Sequence, residues 1–313
     1  MQITLFQQTP TKRTSKRRFF EEITPFLHID TWLTLIEPYY YKSHKGRNRK
    51  NLEIMLRTLL VRIFFGLSYE KTEDEIHENL SVRNFVGVTK DEEIPDASSI
   101  CRFEQLLTKN KLQEQMFVQH VDHLVLNGKL VKIGSNIDST IVDAPTSTKN
   151  KDKKRDSEAG WTKKAGKHRH GFKGHIGQDE DSGLIHSNTM TAANVHDLHA
   201  VEDCLHGEER HMSGDSAYLG VENHSEKAKK MKRRVLKRRS SIAKMEPRRQ
   251  ELERRRAQAI SSKRAKVEHP FLVVKRIFGW NYTRVRGLEK NAARFNMMCM
   301  LANIYKLSRP SPV

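Results

Sequence analysis

The composition of the 313-residue chain limits its class before any motif is considered. Hydrophobic residues make up 36% of the chain, which is enough for a buried core and excludes a wholly disordered protein. Lys and Arg number 57 against 38 Asp and Glu, so the net charge is +19 and the pI is near 9.8. An excess of that size favours a polyanionic partner, most commonly nucleic acid.

Cysteine usage and hydropathy exclude two further classes. Cys101, Cys204 and Cys299 form no CxxC pair, so neither a zinc ribbon nor a disulfide framework is indicated. The longest apolar-rich segment, Leu59–Leu67, is interrupted by Arg62 and is far shorter than the ~20 residues of a membrane span, so it predicts a core helix. The first residues lack the apolar segment of a secretory signal. We therefore expect a cytoplasmic chain without membrane association.

The first part of the chain, residues 20–128, has helical periodicity. Apolar residues in Asn51–Gly66 recur at offsets of three and four, which predicts one helix with a buried face. Asp96 or Ser98 can cap a following helix, and Leu112–Leu126 predicts another. Helices joined by short turns are typical of helix-turn-helix proteins but also of any small bundle. We predict a helical N-terminal domain over residues 1–128 that serves in DNA binding or oligomerisation.

The pattern changes near Gly128, and residues 129–313 are predicted to form an α/β domain. Asn194 or Asp197 can cap a helix that ends near Gly207, and the last long helix is predicted at Leu288–Leu307. Strands followed by alternating helix and strand predict a mixed sheet flanked by helices. The predicted strands are Leu130–Ile133, Ile137–Val142, Gly171–Asp181, Leu184–Met190 and Arg210–Ser213.

Two segments of this second part are strongly polar. Thr146–His170 is rich in lysine and nearly devoid of apolar residues, so we predict a loop with Trp161 as its one large anchor. Lys227–Lys266 contains 18 Lys and Arg and three acids, a net charge of 18 − 3 = +15. Solvated helix faces usually mix signs, so this predicted basic helical segment favours a surface that tracks a DNA backbone.

Three carboxylates stand in settings that suit metal-dependent chemistry. Asp138 lies between isoleucines in a predicted buried strand, and Asp215 lies where a strand passes into a turn. Either acid alone would also fit a cap or a turn. Glu268 is one helical turn after Arg264 and two turns before Lys275, so these three side chains share one helix face. An ordinary surface ion pair is the alternative for that group.

These residues fall within blocks that resemble the DDE transposases of insertion sequences, in the branch called insertion sequence five. The resemblance covers most of the chain and includes the helical first part from about Asn48 to Leu112. One departure is Ser261, where the C-terminal signature of that branch usually has Tyr. The similar blocks are Asp138–Asn150, Lys173–Gly177, Thr191–Asp197, Gly214–Tyr218 and Arg264–Gly279.

The resemblance implies an RNase H-like domain in which Asp138, Asp215 and Glu268 are the catalytic triad and the metal ligands. It implies two Mg²⁺ ions, with Mn²⁺ as a substitute, and a DNA substrate whose terminal inverted repeats are cut and joined to target DNA. It also implies a homodimer on DNA, associated with the bacterial nucleoid. The residues predicted to contact DNA are Arg264, Lys275, Lys149, Lys173, Arg238, Arg239, Arg255 and Trp280.

Rival interpretations remain open at this point. The histidines at 168, 170, 175, 196 and 199 could form a zinc site, although their spacing is loose. Trp280 or Tyr282 could stack on an unpaired base or belong to the core. The chain as a whole could be a stand-alone metal nuclease, or a transposase that has lost catalysis and only binds DNA, which the departure at Ser261 leaves open.

Overall fold

The computed structural model describes residues 13–41, 49–149, 151–164, 166–265 and 270–309. These residues belong to two compact units. The first combines the described residues up to Met116 with those from Ile304 onward, and the second extends from Phe117 to Asn303. The domain boundary predicted at residue 128 lies inside the second unit. It remains a prediction about which part of the chain carries each function.

Helices form the first unit, as the periodicity predicted. The predicted helix over Asn51–Gly66 is confirmed, because Asn51 Oδ1 accepts hydrogen bonds from the amides of Glu53 and Ile54 and so caps its first turn. Asp96, rather than Ser98, caps the predicted later helix by accepting from the Ser99 amide at 2.8 Å. The helices are α1 Ser15–Ile23, α2 Ile29–Tyr40, α3 Leu52–Phe64, α4 Tyr69–Glu78, α5 Leu80–Val86, α6 Ala97–Lys109 and α7 Leu112–Leu126.

Arg62 explains the charge that interrupts the apolar segment of α3. Its guanidinium lies 3.1 Å from Glu104 Oε2, and both side chains are almost fully buried. The Tyr69 hydroxyl donates to the same carboxylate at 2.5 Å, and the guanidinium lies over the Tyr69 ring at 4.2 Å. A buried charge persists only when it is paired and hydrogen-bonded, so this cluster fixes how α3, α4 and α6 pack.

Six strands of the described residues form one mixed sheet in the second unit. β1 pairs with β3 antiparallel and with β5 parallel, and β5 pairs with β6 parallel. β2 and β4 both pair antiparallel with the other edge of β3, β2 with its beginning and β4 with its end. The strands are β1 Gly134–Asp143, β2 Gly160–Lys164, β3 Lys167–Asp179, β4 Ile185–Ala192, β5 His211–Gly214 and β6 Lys232–Val235.

Helices flank this sheet and complete the predicted mixed α/β architecture. The Leu288–Leu307 helix is confirmed at the predicted bounds. No helix in the described part of the chain is long and apolar enough to cross a lipid bilayer. The helices are α8 Val201–Cys204, α9 Glu226–Lys229, α10 Arg239–Ala243, α11 Pro247–Ala265, α12 Pro270–Leu272 with a π-helical turn at Val273–Ile277, and α13 Leu288–Leu307.

Several local predictions were wrong. Leu130–Ile133 is not a strand, because Val131 and Ile133 are exposed and pairing starts at Gly134. Thr146–His170 is not all loop, since it contains β2 and the beginning of β3. The basic segment is not wholly helical, since β6 pairs with β5 at its start. The helix predicted to end near Gly207 ends at Cys204, after a turn capped by His196.

The two faces of the sheet are covered by different helices. Ile137 packs with Val201 and Cys204 of α8, and a Cβ on Gly177 would lie 1.9 Å from the Cys204 carbonyl oxygen, so only glycine permits this approach. On the other face, a Cβ on Gly174 would lie 2.7 Å from the ring of Phe295 in α13. Because side chains alternate along a strand, Asp138 is on the α13 face, opposite to Ile137.

His186 makes the stability of this unit sensitive to acid. Burial, together with the nearby His206 and Lys132, lowers the pKa of His186 to about 3, so the ring is neutral in the fold. In the unfolded chain it takes up a proton near pH 6.5, so its stabilising contribution is present above that pH and is lost as the pH falls toward 3.

We expect this histidine alone to lower the free energy of unfolding by roughly 2 kcal/mol between pH 7 and pH 5. Urea unfolding of wild type and His186→Gln at both pH values measures the difference. A His186→Gln variant with the same pH dependence as wild type would contradict this assignment.

Candidate active site

Asp138 occupies a polar position in a strand that is otherwise buried. Its neighbours Ile137 and Ile141 are almost fully buried, whereas Asp138 itself is half-buried. Its carboxylate accepts a hydrogen bond from the Ser139 amide at 2.8 Å. The sequence predicted an acid between isoleucines in a buried strand, and the structure places that strand at the centre of the sheet.

Asp215 follows β5 directly and is exposed. Its Oδ1 accepts from the Ala217 amide at 2.8 Å and thereby caps the 3-10 turn Ser216–Tyr218. The cap sets the position of the backbone at the end of the strand, and no hydrogen bond to the second carboxylate oxygen occurs among the described residues, so that oxygen can accept from or bind a ligand. The predicted position at a strand-to-turn transition is confirmed.

The register of β1 and β5 brings these two acids together. The strands run parallel, and Asn136 lies opposite Ser213. Two residues further along each chain are Asp138 and Asp215, so both lie at the same level, just beyond the end of the pairing. Adjacent strands are about 4.8 Å apart, a separation that two carboxylates can bridge through shared cations. Carboxylate oxygens are the donors that Mg²⁺ and Mn²⁺ prefer, so this donor pair fits such ions.

Tyr218 is a residue of this site that the sequence did not reveal. Its hydroxyl is buried and has no hydrogen-bond partner among the described residues. Burial raises its pKa well above the usual range, and the negative charges of Asp197, Asp138 and Asp215 add to the shift. The phenol therefore stays protonated, with its ring in the apolar cluster around Ile137 and its hydroxyl available as a hydrogen-bond donor.

The C-terminal members of the predicted site can be placed only in part. Glu268 lies outside the described residues, and Arg264 belongs to α11. Lys275 lies beside β1, where its Nζ donates to the Ile141 carbonyl at 2.7 Å. Burial lowers its pKa, as do the positive charges of Arg169 and Lys164. The π-helical turn thus holds a lysine next to the strand that carries Asp138.

Lys173 is held inside the fold. Its ammonium donates to the Val195 carbonyl at 2.6 Å and to Asp197 Oδ1 at 2.8 Å, and its side chain is 11% exposed. His175, whose Nε2 is 2.9 Å from Thr191 Oγ1, lies beside this pair, with its Nδ1 4.0 Å from Asp197. Burial lowers the pKa of His175 to about 4, so it is a neutral structural histidine. We therefore do not include Lys173 in the DNA surface proposed below.

Trp280 also differs from its predicted role as a DNA contact. It is 5% exposed and stacks on Phe295, with the ring centroids 5.6 Å apart and the planes inclined by 21°. Core packing was the alternative interpretation of this tryptophan, and its burial supports that alternative. Tyr282, two residues on, is 47% exposed and is the accessible aromatic of this segment.

The remaining basic candidates are on the surface. Lys149, Arg238 and Arg239 are exposed. Arg255 is exposed in α11 and pairs with Glu251 at 2.9 Å, which leaves most of its guanidinium accessible. None of the described side chains from Arg239 to Ser261 is buried, so α10 and α11 present nearly all of their charge to solvent.

Two family models match the chain. A model described as "Transposase DDE domain" matches residues 131–304, more than half of the 313 residues. A model described as "Transposase domain" matches residues 8–106, the helical first part. No solved structure matches the chain. The helical region followed by a mixed sheet with flanking helices agrees with an RNase H-like DDE domain. The match of the transposase DDE domain over more than half of the chain shows that the chain belongs to the DDE transposases.

Proposed function

We propose that this transposase belongs to the insertion-sequence-five branch, binds the terminal inverted repeats of its element, cleaves the ends and joins them to target DNA. The observation that carries the proposal is the parallel register of β1 and β5, which sets Asp138 level with Asp215. Two acids level with each other on neighbouring strands, one within β1 and one directly after β5, suit a site for metal ions and phosphate.

The chemistry requires activation of an attacking oxygen and stabilisation of the leaving oxygen. Two divalent ions, when bound, would supply both and place the reacting groups in line. Asp138 and Asp215 would hold them, with Glu268 proposed as the third acid. Lys275 beside β1 and Arg264 supply positive charge for phosphate oxygens, and Tyr218 offers a buried hydroxyl as a hydrogen-bond donor.

The DNA surface that we propose centres on α10 and α11. The 40 residues from Lys227 to Lys266 carry a net charge of 18 − 3 = +15, and their exposed arginines include Arg238, Arg239 and Arg255. Each phosphate they neutralise releases counterions, so binding should weaken steeply with salt. Because two element ends react in one event, we propose that the active form on DNA is a homodimer.

The products formed from a defined DNA distinguish the candidate functions. The protein is incubated with Mg²⁺, a target plasmid and a duplex bearing the inverted repeats that flank its gene. We expect nicks confined to the repeat ends and products joined to the plasmid. Nicking of any duplex would indicate a nuclease, and a gel shift without cleavage would indicate a protein that only binds DNA. Both results would contradict the proposal.

Glu268 is tested separately in the same assay. We expect Glu268→Gln to lose both end cleavage and joining, because an amide cannot supply the third negative charge to the cations. Glu251→Gln, an exposed acid of α11 that pairs with Arg255, is the matched control and should retain both activities. Cleavage by Glu268→Gln at the wild-type rate would remove this residue from the site.

A further inference from the structure

The β2–β3 hairpin, residues 160–171, carries an accessible aromatic in a wholly basic setting. Trp161 is 48% exposed, whereas Trp32 and Trp280 are buried. The hairpin contains Lys163, Lys164, Lys167 and Arg169 and no acid. No ion pair of the three lysines occurs among the described residues. An apolar surface ringed by free positive charge matches a polyanion whose units also offer flat faces, which is the chemistry of single-stranded DNA.

The hairpin is held rigidly. Arg169 donates to both carboxylate oxygens of Asp143 at 2.7 and 2.6 Å, which ties β3 to the end of β1. The chain entering β2 is fixed as well, because Asp156 accepts from the Gly287 amide at 2.8 Å and Glu158 accepts from the Leu288 amide. Binding to such a platform costs little conformational entropy, since the platform is ordered in advance.

The hairpin presents Trp161 on the same face of the sheet as the proposed active site. Asp138 lies opposite Ile176 and Trp161 lies opposite His170, and the two β3 residues are 176 − 170 = 6 positions apart. An even spacing places Trp161 and Asp138 on the same face of the sheet, roughly 20 Å apart. That distance is spanned by several nucleotides of an unpaired strand whose cleaved phosphate lies at the proposed active site.

We propose that the hairpin is a binding site for single-stranded DNA adjoining the cleaved position, with Trp161 stacked on an unpaired base and Lys163 and Lys167 on the phosphates. A paired duplex offers no free base face to Trp161, so the site selects unpaired nucleotides. The identity of the ligand as DNA rests on the proposed function, but binding at the hairpin requires neither a metal ion nor catalysis.

Intrinsic fluorescence tests this site directly, because Trp161 is the accessible tryptophan. The full-length protein is titrated with a short oligothymidine in the presence of a chelator. We expect the oligonucleotide to quench the emission, and a blunt-ended DNA duplex without unpaired bases to leave it unchanged. Trp161→Phe should abolish the quenching, and Trp161→Ala should weaken oligothymidine binding by roughly 5- to 150-fold.

Matched variants separate stacking from charge and from folding. The double variant Lys163→Gln/Lys167→Gln should weaken oligothymidine binding and reduce its salt dependence, whereas Lys129→Gln, an exposed lysine near the other end of β1, should change neither. Unchanged thermal melting would show that the Trp161 variants fold. Absence of quenching, or equal quenching by the blunt-ended duplex, would overturn the inference. If oligothymidine quenches the emission but the protein never cleaves DNA, the hairpin site would be supported and only the proposed function would be contradicted.

Discussion

Replacing Asp138 or Asp215 with Asn is expected to lower the rates of end cleavage and of joining by at least roughly 10³-fold, because both acids serve one reaction centre. The register of β1 and β5 places the two carboxylates level, so either change removes negative charge from the same place. Product formation with Mg²⁺ and with Mn²⁺ measures the effect, and a chelator should abolish the wild-type activity to a similar extent.

The change must leave folding and DNA binding intact for this result to locate the site. Asp181→Asn, an exposed acid in the turn between β3 and β4, is the matched control and should cleave at the wild-type rate. In chelator, both active-site variants should bind the terminal duplex at least as well as wild type, since they carry less negative charge. If Asp138→Asn cleaved normally, the assignment of this site would be wrong.

Lys173→Met is expected to destabilise the protein by roughly 3 kcal/mol, because it leaves the Asp197 carboxylate nearly buried without its cation. The side chains of the pair are only 11% and 19% exposed, and the ammonium also donates to the Val195 carbonyl. Urea unfolding at pH 8 measures the loss under conditions in which His175 stays neutral and cannot compensate for the missing charge.

A double variant distinguishes the ion pair from simple packing. Lys173→Met/Asp197→Leu removes both charges and should recover most of the lost stability, since an apolar pair of similar volume is often as stable as a buried ion pair. Lys163→Met changes an exposed lysine of the neighbouring strand β2 and should have little effect. Equal stability of Lys173→Met and Lys163→Met would show that the Lys173–Asp197 pair contributes nothing.

The sequence predicted those parts of the fold that local patterns encode. The three-and-four spacing in α3 and the isoleucines around Asp138 each identify an element and its buried face. β2 was not predicted, because Gly160–Lys164 is a polar edge strand. It is held by its pairing with β3 and by the close approach of Gly160 to Asn194. Such a strand has no apolar alternation for a pattern to detect.

The site was predictable as a set of acids but not as a geometry. Asp138 and Asp215 are 77 positions apart in the chain, and nothing in either segment shows that β1 and β5 are neighbours in register. The burial of Lys173 was not predictable for a related reason, since it depends on Asp197, 24 residues away. Tyr218 has no distinguishing motif, because its burial, which raises the pKa of its hydroxyl, arises only in the folded structure.

The exposure of α10 and α11 has a consequence for how such proteins diversify. These helices bury none of their described side chains from Arg239 to Ser261. In the chain they follow β6, the last strand of the sheet. Substitutions or length changes there carry little penalty for the core. The DNA surface proposed for this helical pair can therefore change in sequence at little cost to the core, whereas changes in the strands β1 and β5 would displace Asp138 and Asp215.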